Sequence, residues 1–332
     1  MKLLKPSYYD QFRCIAGACP DSCCQEWDVQ VDSMSAQRYL SLPGPLGDDL
    51  RKKLKQDDEG EYYLEITDRR CPMWRQDGLC QIQVELGEDG LCQVCRTFPR
   101  LRHDYGDFVE LGLELSCPEA ARLIFTAPLE PTMVQELPES IEPEYDPQDM
   151  EILLRTRTHA LRILEEHPLP RAMTLLLLYG YRAQDELDGA EPALWDPEAE
   201  LEFAHQIAGD CDWSTLRELY SGLEILTPRW EALLCSPAPA FPEILSRMVR
   251  CGIERYWLQA VSDLDLISRV KMIIAGTLLV GHLGGKPAVT AQLYSKEIDN
   301  SLENLEAILD AAYTHPALTD RHLLGLLQSI SN

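Results

Sequence analysis

Positive charge is what this chain has least of: 30 Lys and Arg stand against 55 Asp and Glu, a formal charge of -25. That balance opposes binding to a phosphate backbone unless basic residues cluster. The richest basic stretches, Arg51-Lys52-Lys53-Leu54-Lys55 and Arg96 to Arg102, are short and sit beside acids, so they read as solvated surface charge and no nucleic-acid partner is expected. Long apolar runs are missing too. The longest uncharged one, Met272 to Gly285, is shorter than a bilayer crossing requires and contains His282 and several glycines; it reads as a buried helix end, with no membrane role. Met1-Lys2-Leu3-Leu4-Lys5-Pro6 opens no apolar signal region, and the expected location is the cytoplasm. No Gly-rich turn after a strand opens a βαβ unit, so the usual nucleotide-binding crevice is not expected. Gly281-His282-Leu283-Gly284-Gly285 follows a helical run and reads as a helix stop.

What is abundant is cysteine. A chain of 332 residues can bury a core without covalent staples, and cytosolic glutathione keeps thiols reduced, so twelve cysteines point to metal ligation or redox chemistry rather than to a disulfide framework. Nine of them lie between Cys14 and Cys117. Cys211, Cys235 and Cys251 are far from any second ligand in sequence and read as small buried hydrophobes. Between the two parts, Thr126 to Glu151 holds five prolines, eight acids and no Lys or Arg, the composition of an extended connection.

The expected fold is mainly α: a cysteine-rich module over 1–125 with short strands and loops, an acidic Pro-rich connection over 126–146, and an all-helical array over 147–332. Trp27 to Asp32, Tyr62 to Thr67 and Phe108 to Leu115 alternate at period two, as half-buried strands do. Ser33 starts a short helix that Pro43-Gly44-Pro45 stops. Asp146-Pro147 and Asp196-Pro197 have the N-cap and first-turn chemistry of helix starts. Further helices are expected at about 171–188, 213–226, 242–262, 264–281, 288–313 and 319–330.

The thiols fall in two sets. Cys14-x4-Cys19-x3-Cys23-Cys24 places four within eleven residues, and Cys71-Pro72, Cys80, Cys92-x2-Cys95 and Cys117-Pro118 follow. Thiolate is the soft, anionic ligand of zinc and of iron in clusters, and a bound metal deprotonates it at neutral pH. Adjacent Cys23 and Cys24 diverge on any regular backbone, so one ion does not easily take both; they serve two neighbouring centres, or one ligates while the other packs. An iron–sulfur cluster is the favoured reading. Structural zinc is the competitor, although only Cys92-x2-Cys95 has the paired-knuckle form, and reduced structural thiols are the third possibility.

These residues resemble the flagellin lysine-N-methylase family. The likeness runs through Phe12-Arg13-Cys14-Ile15, Cys19-Pro20-Asp21-Ser22-Cys23-Cys24, Trp27, Cys71-Pro72, Leu79-Cys80-Gln81-Ile82-Gln83, Leu86-Gly87-Glu88, Cys95-Arg96-Thr97-Phe98-Pro99-Arg100 and Ser116-Cys117-Pro118-Glu119. It continues less specifically through Arg255-Tyr256-Trp257 and Arg269-Val270-Lys271. A looser similarity links the cysteine pattern to small zinc- or iron-chelating domains. The resemblance implies methyl transfer from S-adenosylmethionine to lysines of flagellin, or of another lysine-bearing protein, with an iron–sulfur cluster, 4Fe-4S before other kinds, needed for activity. It points to Cys14, Cys19, Cys23, Cys24, Cys71, Cys80, Cys95 and Cys117 as ligands, with Cys92 fitting less well.

Lysine methylation needs the neutral amine, whose free pKa is about 10.4, so the site must desolvate it or supply a base. Asp21, Glu26, Asp28 and Glu88 are candidates to attract the ammonium group, and Tyr8, Tyr9, Trp27 and Trp74 to pack its methylenes. His103 is the one histidine considered as ligand or base. The alternative is a non-enzymatic zinc- or iron-binding, electron-transfer or adaptor protein, favoured by the lack of a recognisable donor-binding motif.

Overall fold

A computed structural model describes residues 1–130, 132–136 and 142–331, and among them the chain forms fifteen α-helices and seven short strands. The mainly helical expectation holds. Residues 131 and 137–141 of the expected connection lie outside the described set. The part of it that is described includes a strand, Met133–Glu136, paired antiparallel with Lys2–Lys5.

That strand edges a four-stranded sheet in the order Arg100–Asp104, Phe108–Leu113, Lys2–Lys5, Met133–Glu136, whose one parallel pairing sets Lys2–Lys5 beside Phe108–Leu113. A second, three-stranded sheet joins Val29–Val31, Tyr62–Leu64 and Leu54–Gln56, with Val29 opposite Leu64 and Val31 opposite Tyr62. The period-two stretches read from the sequence supply a strand to one or the other of these sheets.

Two apolar cores follow. The small one gathers Val29, Val31, Tyr39, Leu50, Leu64, Met73 and Ile82, together with Cys71 and Cys92. The large one runs from Tyr8, Phe12 and Phe108 through Cys117 and the Pro118–Thr126 helix into the C-terminal helices. Its centre is the Ile267–Leu283 helix, in which all seventeen residues are buried. Gly284, at φ +73°, ends it as a helix stop should. Among the described residues no helix is long and apolar enough to cross a membrane.

Helix starts follow their caps. Asp146 accepts from Gln148 N at 2.8 Å ahead of Pro147–Glu166, and Asp196 accepts from Glu198 N ahead of Pro197–Ile207. Several readings need correction. Pro43-Gly44-Pro45 does end Ser33–Ser41, but Pro45 then sits in the first turn of a new helix, Gly44–Lys53, because a proline there has no N–H to waste. The expected 288–313 helix is two, Pro287–Asp299 and Leu302–Thr314, since Ser301 accepts from Asn304 N at 3.3 Å and caps a fresh start. Pro228–Cys235 was not anticipated, although Thr227 caps it by accepting from Trp230 N. Of the three outlying thiols, read as small buried hydrophobes, Cys211 and Cys251 are half-buried and pack against the large core, whereas Cys235, the last residue of its helix, is exposed.

Candidate metal centre

The thiols meet where the two cores adjoin. Cys14 and Cys19 flank a single tight turn, Ala16–Ala18, closed by Ala18 N to Ile15 O at 3.0 Å and Cys19 N to Ala16 O at 2.9 Å. This loop touches the one before Cys80 through two glycines: a Cβ on Gly78, whose φ is +81°, would lie 3.1 Å from the Gly17 Cα. Only backbone without side chains lets the loops approach so closely.

Cys24 is fixed to the small core because its carbonyl accepts from Cys71 N at 2.8 Å. Cys80, Cys92 and Cys117 each occupy the N-cap position of a helix, Gln81–Leu86, Gln93–Thr97 and Pro118–Thr126, with Cys95 inside the second. First-turn N–H groups favour a thiolate there.

One cavity of about 330 Å³ is walled by Cys14, Cys19, Cys23, Cys24, Cys80, Cys95 and Cys117, seven of the eight thiols singled out from the sequence. Cys71 is not among the lining residues; it is buried in the small core behind Cys24. Cys92 also lies outside the cavity, its thiol directed at Gln30 O at 3.6 Å. Among the described residues no three Cys, His, Asp or Glu side chains stand close enough to hold one metal ion, so the thiols surround a space rather than a point.

Burial dominates their acidity. It pushes Cys71 up to about 12 and Cys117 to about 11, and raises Cys19 and Cys80. Within the adjacent pair, Cys24 is lowered to about 7 because the Cys23 thiol hydrogen-bonds to it, and Cys23 moves well up. Cys92 is likewise lowered to about 7 by Cys95, which rises. A bound cation stabilises thiolates, and seven thiols around one cavity are donors of the kind such a cation takes. The donor set therefore fits a thiolate-bound metal group.

Lys296 was invisible in the sequence because it sits in an unremarkable stretch of Pro287–Asp299. It is 1% exposed, lines the thiol cavity, donates to Asp21 Oδ1 at 2.7 Å and lies 5.1 Å from the Trp27 ring centroid. Gln292, one turn earlier, donates to Asp21 Oδ2 at 2.8 Å and to Ser116 O at 2.7 Å. One helix thereby clamps the Cys19 loop and the approach to Cys117.

Asp21, offered above for a substrate ammonium, and Trp27, offered for its methylenes, are thus taken by the protein's own lysine. Glu26 binds Arg69, and Asp28 accepts from Ile66 N at 2.7 Å. Glu88 lines the thiol cavity. Tyr8 is buried in the large core, and Trp74 lies under the Arg70 guanidinium at 3.9 Å. His103 belongs to a different cleft, beside Glu110 and Arg157, and burial lowers its pKa. Arg96 and Arg100, read as part of a solvated run, line the thiol cavity, where cations meet the thiols.

A second hollow, about 620 Å³, shares Cys23, Trp27, Cys95 and Phe98 with the first. Its remaining wall carries Tyr62, Tyr63, Asp28, Asp57, Glu61, Glu114 and Asp299. Its one arginine, Arg255, is held by Glu114 at 3.5 Å and Asp299 at 3.2 Å. Burial raises the Glu114 pKa, against the pull of Arg255.

Similar proteins decide the family. The flagellar biosynthetic protein FliU of Salmonella muenchen is 32% identical over 130 residues, 37% of this chain and 77% of FliU. The chain belongs to the flagellin lysine-N-methylase family. Two lysine-N-methylases, of Salmonella typhimurium and Salmonella choleraesuis, are each 32% identical over 130 residues, and the match spans 32% of the length of each. No family model matches, and no solved structure does.

Proposed function

We propose that this protein is a cytoplasmic methyltransferase that moves the methyl group of S-adenosylmethionine onto lysine side chains of a protein, flagellin first among them, and that a cysteine-ligated iron–sulfur cluster, 4Fe-4S in type, is required. The observation that carries the reading is the pair of adjoining hollows, one walled by seven thiols and one by acids and aromatic rings, in a member of this family.

Four of Cys14, Cys19, Cys23, Cys24, Cys80, Cys95 and Cys117 would hold the cluster, with Cys71 behind them. A cluster sets its cysteine sulfurs further apart than the roughly 3.8 Å of a tetrahedral zinc–thiolate site, which suits thiols arranged around a cavity. When bound, it supplies iron coordination and one-electron chemistry.

The larger hollow suits the other reactant. Tyr62 and Tyr63 offer faces to the lysine methylenes, and Asp28, Asp57 and Glu61 draw in the ammonium group. Glu114, largely screened from water and with its pKa raised by burial, is placed to accept the proton the amine must lose before attack. The donor's binding place is not assigned to residues. The test is transfer of labelled methyl groups to flagellin lysines by anaerobically purified protein. Cluster-loaded protein that transfers none, with flagellin or any other lysine-bearing protein, defeats the reading.

The second reading is an electron-transfer or adaptor module. It is favoured by the sheet, whose single parallel pair offers no doubly wound crevice among the described residues.

A further inference from the structure

Pairing in the four-stranded sheet sets Leu101 opposite Gly112 and His103 opposite Glu110, with Leu4 beside Glu110 on the next strand, so these five residues share one face. The Pro147–Glu166 and Ser246–Tyr256 helices stand across that face. Arg157 of the first closes on Glu110 with hydrogen bonds of 2.8 and 2.6 Å, and the second brings Cys251, Glu254 and Arg255. The layers are not packed shut. Between them lie two hollows of about 280 and 320 Å³ that share Tyr8, Leu161, Cys251 and Glu254 as walls, a cleft of the size that small molecules occupy, roughly 300–1,000 Å³.

Gly112 helps to keep the space open. A Cβ placed on it would have only Leu101 within 4 Å, no closer than 3.8 Å, so the middle of the face carries no side chain. An interface built for packing alone would fill this space with apolar side chains; here it is walled by His103, Glu110, Arg157 and Glu254. The His103 Nε2 atom is buried with no hydrogen-bond partner among the described residues, a cost that a bound ligand would remove. Charge narrows the kind of ligand. Arg250 is paired with Glu165 and Glu254, and Arg157 with Glu110, so cations alternate with acids along the cleft. That pattern suits a zwitterion and disfavours a polyphosphate. Arg255 joins the cleft to the lysine hollow: it lines both, and Glu114 and Asp299 hold it on the lysine side.

We propose that this cleft seats the methyl donor, S-adenosylmethionine, with its carboxylate toward Arg247 and Arg250, its ammonium group toward Glu165, its sulfonium beside Glu254, and its adenine over Leu101 and Gly112. The proposal rests on the methyltransferase reading above and gives the donor its residues. Glu254 is common to both hollows, which places an acid where the single positive sulfur must lie, between the amino-acid head and the nucleoside. A lysine amine that has left a proton on Glu114 attacks the methyl carbon from the neighbouring hollow. The nitrogen–carbon bond forms as the carbon–sulfur bond breaks, the electron pair stays on sulfur, and the products are a methylated ammonium group and S-adenosylhomocysteine.

The test uses the anaerobically purified full chain. S-adenosylmethionine and S-adenosylhomocysteine are titrated calorimetrically, and labelled donor is cross-linked with ultraviolet light and located by peptide mapping. On wild type the label should fall within 101–113 or 247–258. Gly112→Leu enters the cleft without removing a side-chain contact, and should weaken binding of both compounds about tenfold or more at an unchanged thermal midpoint. Glu254→Gln should weaken S-adenosylmethionine more than S-adenosylhomocysteine, because only the former carries the sulfonium charge. Donor that binds but cross-links to the cysteine loops, or binds a folded Gly112→Leu as tightly as wild type, overturns the site and leaves the methyltransferase reading intact. If Gly112→Leu does not fold, the wild-type cross-link decides alone. Failure of wild type to bind either compound overturns both.

Discussion

Removing the ammonium group of Lys296 leaves the Asp21 carboxylate, 13% exposed, facing a cavity of thiols without its counter-ion. Breaking a buried pair from one side costs about 3–5 kcal/mol, because the surviving charge stays desolvated. Lys296→Met should therefore lower the urea midpoint by that equivalent. Adding Asp21→Asn should recover part of the loss, since an amide can still accept from Gln292; two additive losses would show that the pair is not coupled.

A second residue-scale prediction concerns reactivity. Cys24 is held down to about 7, below the ordinary 9.0, by the thiol of Cys23, so in metal-free protein it is largely thiolate at pH 8 and loses that form as pH falls through 7. Cys71, pushed up to about 12 by burial, stays a thiol throughout. Alkylation mapped by mass spectrometry should reach Cys24 well before Cys71, with the Cys24 rate falling below pH 7. Equal labelling of the two, or a pH-independent Cys24 rate, would contradict the pairing.

At the scale of elements, the segment around Gly284 is where backbone shape matters most. A Cβ there would meet the Ala238 carbonyl oxygen at 1.8 Å, and φ is +73°. Gly189 has φ +92° and nothing within 4 Å of the same atom. Gly284→Ala should cost about 3 kcal/mol and Gly189→Ala about 1 kcal/mol, the difference being the collision rather than the dihedral. Equal shifts in thermal midpoint would place the cost in the dihedral alone.

These same elements show how far the chain could be read in advance. The Ile267–Leu283 helix was legible because an apolar run ending in paired glycines has few other fates. The break at Ser301 was not, since one serine between two apolar stretches serves equally as a helix interior or a cap until packing chooses. The cysteines announced the centre by type and spacing. Lys296 and Gln292 did not, because they arrive from some 270 residues away on a helix whose pattern says only that it is packed.

For the whole molecule, the arrangement is a large helical core and a small cysteine-bearing one, with the thiol cavity at their junction and an acidic, aromatic hollow alongside. The small core is modest in apolar content and includes two buried thiols, so the proposed metal, when bound, would contribute to holding it against the helices. The proposed chemistry requires those thiols to gather around iron. Iron-edge X-ray absorption of anaerobically purified protein, read with its metal content, tests that directly. The account predicts iron surrounded by sulfur with a second iron in the next shell. Protein carrying zinc alone, or iron bound by oxygen and nitrogen, would contradict it.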